Sequence, residues 1–334
     1  MISSNYKISL KNRPVGLPKA ETWDMSTSDI PKPAEGEFLV KVRCLSIDPA
    51  MRAWLYPGES YIAPVQPGEV MRALGGGDII ESAHPDWPVG TTITGLTGLQ
   101  QYSIMTPRHM VRKVDTSLAP LEDYLGVLGI SGLTAYFGLK EIGQLKEGET
   151  LLVSAAAGSV GAIAVQIGKI MNCKTIGIAG GHSKCDYLKQ KLNIDHSIDY
   201  KNENLEEKLS ELCPEGIDVF FDNVGGRQLE VALNHLRHKA RIVICGAISQ
   251  YNSLEKLTGP GNYMQLLSKR ARMEGFVVMD YENDYETALK DLASWIKQHK
   301  LVHQSDIHQG LENFPDIFQM LFDGRNKGKL LLKI

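Results

Sequence analysis

The chain has 334 residues, 43% hydrophobic and 22% charged, with 36 Lys and Arg against 39 Asp and Glu. A chain of this size and composition buries a large core, which excludes intrinsic disorder and a disulfide-built mini-fold. A net charge of −3, with no block of like charges, excludes wholesale binding to nucleic acid or to an anionic membrane.

Residues 1–124 read as β-rich. Within residues 37–46, Phe38, Val40, Val42 and Cys44 fall on one face and Lys41 and Arg43 on the other. Turn signals recur at Pro57-Gly58, Pro67-Gly68 and Gly75-Gly76-Gly77, so a small barrel or sandwich is expected. Residues 125–140 are apolar at helical spacing, and after Gly148 strands and helices alternate. The expected strands are 150–154, 174–179, 196–200, 217–222, 240–246 and 272–278. The expected helices are 159–171, 183–192, 205–213, 227–236 and 262–267. Six strands with crossover helices make an α/β fold with a doubly wound parallel sheet. The uncharged run 150–168 has nearly the length of a membrane span, but Gly158, Gly161 and Gly168 divide it into strand, turn and helix. Residues 285–300 read as a helix and 328–334 as a strand that returns to the first domain. The expected division is 1–124 with 300–334, interrupted by an inserted domain, 125–299.

Five cysteines (Cys44, Cys173, Cys185, Cys213 and Cys245) form no Cys-x-x-Cys pair, the usage of a reducing compartment. With no signal-like apolar core in the first residues, a cytoplasmic location is expected. His235 and His238, and His299, His303 and His308, lack supporting acids or thiols at metal-ligand spacing. No Gly-x-Ser-x-Gly elbow occurs, so serine hydrolysis is not expected.

The informative segment runs from Leu151 through Ala156, Gly158, Ser159, Val160 and Gly161. In G-x-G-x-x-G terms the first glycine is Ala156, the second Gly158 and the third Gly161. Gly158 lets backbone approach a pyrophosphate, and Gly161 lets the helix pack close to the strand. The alternative is a plain strand-to-helix turn, but the βαβ rhythm that follows favours a dinucleotide. No Gly-Lys-Ser/Thr follows, which argues against a nucleotide-hydrolysing loop. An NAD site would place an acid at the end of the second strand. This chain has Gly180-Gly181-His182-Ser183-Lys184 there, so NADP(H) is expected, with Lys184 meeting the 2′-phosphate. The other reading makes Ser183 a helix cap and Lys184 a solvated residue.

Several stretches together carry a family resemblance. They include Ser46-Ile47-Asp48-Pro49-Ala50-Met51-Arg52, His84-Pro85-Asp86-Trp87, Phe221-Asp222-Asn223-Val224-Gly225-Gly226 and Gly324-Arg325-Asn326-Lys327-Gly328-Lys329. With the glycine loop, the chain resembles, over essentially its whole length, the zinc-independent medium-chain dehydrogenases/reductases. Within them it is similar to the leukotriene/prostaglandin, alkenal double-bond and bacterial curcumin reductases. The resemblance implies a Rossmann domain plus a discontinuous GroES-like catalytic domain, a homodimer paired through the edge strand near 272–278, and no metal. It implies hydride transfer from NADPH to the β-carbon of an α,β-unsaturated ketone or aldehyde.

The cofactor contacts it implies are Gly158, Ser159, Val160, Gly161, Lys184, Tyr200 and Asn223. Further contacts are Cys245, Gly246, Ala247, Ile248, Ser249, Gln250, Tyr251, Phe276, Val277, Val278 and Asn326. An enolate develops in this chemistry, so Tyr251 is the candidate catalytic donor to its oxygen, with water or Tyr251 protonating the α-carbon. Met51, Tyr56, Tyr61, Tyr263 and Met264 are candidate substrate walls; simple packing is their alternative. Leu99 stands where many relatives carry Trp. Quinone reduction and non-catalytic NADPH binding are the competing functions.

Overall fold

The computed structural model describes residues 4–58, 60–253 and 259–334, which form two compact units. One unit is Met1–Gly126 with Ser305–Ile334; the other is Val127–Gln304.

The first unit holds a two-stranded hairpin, β1 (Ser4–Leu10) with β2 (Trp23–Asp29). Its main sheet is built from β3 (Phe38–Ser46), β4 (Gly75–Ser82), β5 (Thr92–Gly95), β6 (Tyr102–Met105) and β7 (Arg112–Lys113). The tail joins this sheet at the end of β3. Leu331 and Leu332 of the last strand pair antiparallel with Ser46 and Leu45. Leu330 and Leu332 share a core with Ile8, Leu45, Met51 and the helix Phe314–Asp323. Trp23 stacks edge-on against Phe314, 5.1 Å between centroids.

The second unit contains β8 (Thr150–Val153), β9 (Lys174–Ala179), β10 (His196–Asp199), β11 (Ile217–Asp222), β12 (Leu236–Ile244) and β13 (Arg272–Gly275). All pairs are parallel in the order β10-β9-β8-β11-β12-β13, so the direction of winding reverses between β8 and β11. The period of two sorts each strand between two cores. Leu151, Val153, Val219 and Phe221 face one layer, and Leu152, Ile176, Phe220 and Ile242 the other. Burial on both faces explains why β11 is apolar nearly throughout. Strands β14 (Ser305–Gln309) and β15 (Lys329–Lys333) complete the first unit.

Several boundaries differ from the sequence expectation: β12 starts at Leu236 rather than 240, and the helix expected at 262–267 is Gln265–Lys269. β13 ends at Gly275, and residues 278–284 form a tight helical turn instead of continuing the strand. The helix expected from 183 begins at His182 behind Gly181, whose φ of 93° only glycine adopts readily. Ser183 therefore does not cap it.

Candidate active site

Every parallel strand of the second unit delivers its following loop to one edge of the sheet, and most expected cofactor residues lie on those loops. Gly158–Gly161 follow β8, Lys184 follows β9, Tyr200 follows β10 and Asn223 follows β11. Residues 245–251 follow β12 and residues 276–278 follow β13. The carboxyl edge beside a reversal of winding is where such sheets bind ligands.

The glycine loop is shaped for a close approach. A Cβ on Gly161 would lie 2.4 Å from Ala155 O and 2.9 Å from Ala156 Cα. Only hydrogen fits there, so the helix Ser159–Ile170 packs directly on the loop backbone. The tight turn itself falls on Ala155 (φ 47°), one residue before the position that the glycine pattern assigned to it. Ser159 Oγ donates to Ser131 Oγ at 2.7 Å. The first-turn N–H groups of this helix have no partner within it and carry the positive end of its dipole.

At the end of β9, Tyr200 lies against the loop backbone: a Cβ on Gly180 would be 2.9 Å from its ring. Lys184 is half-buried in the first turn of the helix His182–Gln190. Tyr200, Gly181 and the helix bearing Lys184 thus share one corner of the edge. The sequence pattern missed Asp199, which enters this corner from the neighbouring strand, in register with Ala179. Its carboxylate accepts the Gly181 N–H at 2.8 Å, the Lys201 N–H at 3.1 Å and Asn202 Nδ2 at 2.8 Å. Burial alone raises the Asp199 carboxyl, but these hydrogen bonds outweigh it and hold it below the usual range. An acid so occupied binds the loop and is not presented to a ribose.

At the reversal point, Ser154 and Asp222, both fully buried, tie the ends of β8 and β11 together. Ser154 Oγ donates to Asp222 at 2.7 Å and accepts the Asn223 N–H at 2.8 Å. Asp222 also accepts from Val224 N and Gly225 N. Burial pushes the Asp222 carboxyl up against these contacts. Asn223 Nδ2 donates to Ser154 O at 2.7 Å, so its amide oxygen is the half offered to a ligand's donors. Ser154 carries no motif signal and Asp222 only its place in the stretch 221–226; the pairing across the sheet brings them together.

The loop after β12 is laced to Asn223. Ile248 N donates to Asn223 O at 3.2 Å, and Ser249 Oγ to Val224 O at 2.6 Å. Within it, the Tyr251 phenol oxygen accepts the Ala247 N–H at 3.3 Å, and a Cβ on Gly246 would lie 3.0 Å from that oxygen. Cys245 is pushed up to about 12 by burial and the Asp222 charge, so it stays a thiol at neutral pH. Phe276 reaches under the sheet, where a Cβ on Gly138 would lie 2.8 Å from its ring. Val278 is buried and its carbonyl is taken by Tyr285, so its side chain packs. Val277 is half-buried between them.

The substrate-wall residues divide. Met51 is completely buried in the core of the first unit, and its sulfur accepts the Asp48 N–H. Its expected role at a substrate surface gives way to packing. Tyr56 and Tyr61 are 59% and 54% exposed in that unit, and Tyr263 and Met264 are exposed in the other. Leu99, at the position of the expected Trp, is fully buried. Asn326 is buried and donates to Gly328 O within its own loop. Among the described residues no group of three or more His, Cys, Asp or Glu side chains is placed to hold a metal ion. No helix of the described residues is long and apolar enough to cross a membrane.

Two family models match: "N-terminal domain of oxidoreductase" over residues 6–114 and "Zinc-binding dehydrogenase" over 159–294. The chain is 38% identical to the NADPH-dependent curcumin reductase of Escherichia coli, covering 99% of this chain and 97% of that one. It is 39% identical to the NADP-dependent 2-alkenal reductase of Nicotiana tabacum, over 99% and 98%. Its fold matches the crystal structure of CurA from Vibrio vulnificus in complex with NADPH, at a TM-score of 0.93, 41% identity and 98% coverage of both chains.

Proposed function

The chain belongs to the zinc-independent group of the medium-chain dehydrogenase/reductase family, and from that membership we propose that it reduces the C=C bond of α,β-unsaturated ketones and aldehydes with NADPH. The observation that carries this reading is the carboxyl edge of the parallel sheet. A glycine-tight helix N-terminus, a first-turn lysine, an oriented Asn223 and the Tyr251 loop meet there. These residues fit the cofactor: Gly158–Gly161 take the pyrophosphate, Lys184 and Tyr200 the 2′-phosphate end, and Asn223 with residues 245–251 the nicotinamide half. Phe276, Val277, Val278 and Asn326 complete the proposed contacts.

Reduced nicotinamide, when bound, supplies the hydride that adds to the β-carbon. The charge then gathers on the substrate carbonyl oxygen, and the protein's task is to stabilise it without a strong base. Tyr251 is suited to this. Its oxygen already accepts the Ala247 N–H, which orients the phenol, and a hydroxyl is the neutral donor that an enolate oxygen requires. Water or Tyr251 delivers the proton to the α-carbon. Tyr56, Tyr61, Tyr263 and Met264 remain the proposed apolar walls for the substrate.

The enzyme is proposed to act in the cytoplasm as a homodimer. β13 is the edge of its sheet and all four of its residues, Met273 among them, are exposed. The five free thiols suit a reducing compartment.

The test is NADPH oxidation with an alkyl enone, a quinone or neither. Enone turnover is expected, and Tyr251→Phe is expected to lower kcat about 100-fold. Quinone turnover without enone turnover, or NADPH binding without either, refutes the proposal. Enone turnover untouched by Tyr251→Phe removes Tyr251 from the mechanism.

A further inference from the structure

Asp222 is a buried acid that the proposed chemistry does not use. Its carboxylate accepts the Ser154 hydroxyl at 2.7 Å, the Val224 N–H at 2.9 Å and the Gly225 N–H, the last on both oxygens at 3.1 Å. Burial raises its pKa against these bonds, so the fold keeps a charge where a neutral acceptor would cost less. The turn before the helix Gly226–Asn234 needs only an acceptor such as asparagine or serine. Capping alone does not account for the carboxylate.

What a carboxylate adds is direction. It has no donor, so the Ser154 hydroxyl aims its proton at Asp222 and turns a lone pair to the Asn223 N–H, 2.8 Å away. An asparagine at 222 would set its NH2 group against one of these donors. The loop after β12 in turn hangs from three successive carbonyls of this segment. Asp222 O accepts Cys245 N at 2.9 Å and Gly246 N at 3.2 Å, and Asn223 O accepts Ile248 N at 3.2 Å. Val224 O accepts Ser249 N at 3.2 Å and its hydroxyl at 2.6 Å. The two segments touch, since a Cβ on Gly225 (φ 68°) would lie 3.2 Å from Ala247 Cβ. Ala247 is the residue whose N–H meets the Tyr251 phenol. A shift of 222–225 thus carries Asn223 and Tyr251 with it.

We propose that Asp222 is a positioning residue for hydride transfer: through Ser154 it fixes the Asn223 amide, and through the 222–225 backbone it fixes the loop that carries Tyr251. This inference rests on the enone-reductase reading and adds to it a buried pair that acts through its neighbours.

The full enzyme is assayed with NADPH and an alkyl enone as wild type, Asp222→Asn, Ser154→Ala and Ser154→Thr. Asp222→Asn and Ser154→Ala are expected to lower kcat about 10- to 100-fold, the effect of a displacement of up to about 1 Å at the reacting groups. NADPH affinity, read by nicotinamide fluorescence, should fall by less than about tenfold, the scale of one hydrogen bond. NADPH deuterated at both C4 positions should show a larger isotope effect in these variants, because a misaligned hydride step becomes rate-limiting. Ser154→Thr, which keeps the hydroxyl, should stay within roughly threefold of wild type. If Asp222→Asn does not fold, Ser154→Ala decides the test, since it keeps the acid. Affinity falling as far as kcat, or a lowered melting temperature with kcat and isotope effect unchanged, overturns the proposal. If the wild type reduces no enone, the activity itself is misassigned, and the positioning role is decided by the fluorescence lifetime of bound NADPH. A nicotinamide held less firmly should decay faster in Ser154→Ala at saturating NADPH; lifetimes equal to wild type overturn it.

Discussion

Gly161→Ala tests whether the glycine loop holds the helix where a phosphate group needs it. The new Cβ would lie 2.4 Å from Ala155 O and 2.9 Å from the Ala155 carbonyl carbon and Ala156 Cα. Comfortable contacts begin near 3.5 Å, so the helix Ser159–Ile170 must withdraw by about 1 Å. All three atoms are backbone, so no rotamer change relieves the clash. Overpacking of this kind costs about 1–3 kcal/mol, partly offset by the roughly 1 kcal/mol that alanine gains over glycine inside a helix. The larger effect falls on binding, because the first-turn N–H groups move with the helix. A displacement of about 1 Å at such a site weakens it on the order of 100-fold. NADPH affinity measured by nicotinamide fluorescence should fall by about that much, with melting lowered by only a few degrees. Gly168→Ala is the control on the same helix. Its Cβ would meet side-chain atoms, Leu151 Cδ2 at 2.5 Å and Thr175 Cγ2 at 2.9 Å. It should lower stability while leaving NADPH affinity nearly intact. If both variants bind NADPH as the wild type does, the loop is only a structural turn.

Lys184→Ala should weaken NADPH about tenfold or more and leave NADH unchanged, since it removes one charge-assisted contact to the 2′-phosphate. An unchanged preference ratio would move that contact elsewhere. Alkaline stability is set partly by buried thiols. Burial pushes Cys44 up to about 12 and Cys173 and Cys213 to about 11, against 9.0 for an ordinary thiol. Between pH 9 and 12 the unfolded chain therefore binds fewer protons than the folded one, and stability falls as pH rises through that window. Denaturant midpoints should show this fall, and Cys44→Ala should make it shallower; identical slopes would acquit the thiols. Met273→Arg on the exposed edge strand should convert a dimer to a monomer by light scattering, and a monomeric wild type would end the dimer proposal.

The sheet was legible in the sequence because its central strands β8, β9 and β11 are short, mostly apolar runs bounded by turns, and the crossovers have helical spacing. The glycine loop was legible for the same reason that Gly161 cannot be replaced. What escaped were features set by neighbours far along the chain. Phe276–Val278 read as the end of a buried strand, yet Gly138 opens space for the Phe276 ring and the strand stops at Gly275. Met51 reads as a candidate substrate wall with packing as its alternative, and it lies in the core shared with Phe314, Leu330 and Leu332 of the returning tail. Asp199 lies outside the window in which an acid is sought after β9, and parallel pairing alone brings it there.

The electrostatics of the carboxyl edge give the cofactor preference a wider basis than one lysine. Acids in the first turn of a helix are favourable, and the helix Leu205–Leu212 carries Glu206 and Glu207 there. The helices Ser159–Ile170, His182–Gln190 and Gly226–Asn234, which start at the proposed site, carry none. Asp199 and Asp222, carboxylates that do reach this edge, are both occupied by backbone N–H groups, so their lone pairs face the protein. An anionic ligand arriving at the edge therefore meets helix N-termini and Lys184, with the nearby acids already satisfied. A neutral or cationic ligand would gain little from such an arrangement, whereas a pyrophosphate with an additional 2′-phosphate gains at both of its charged ends.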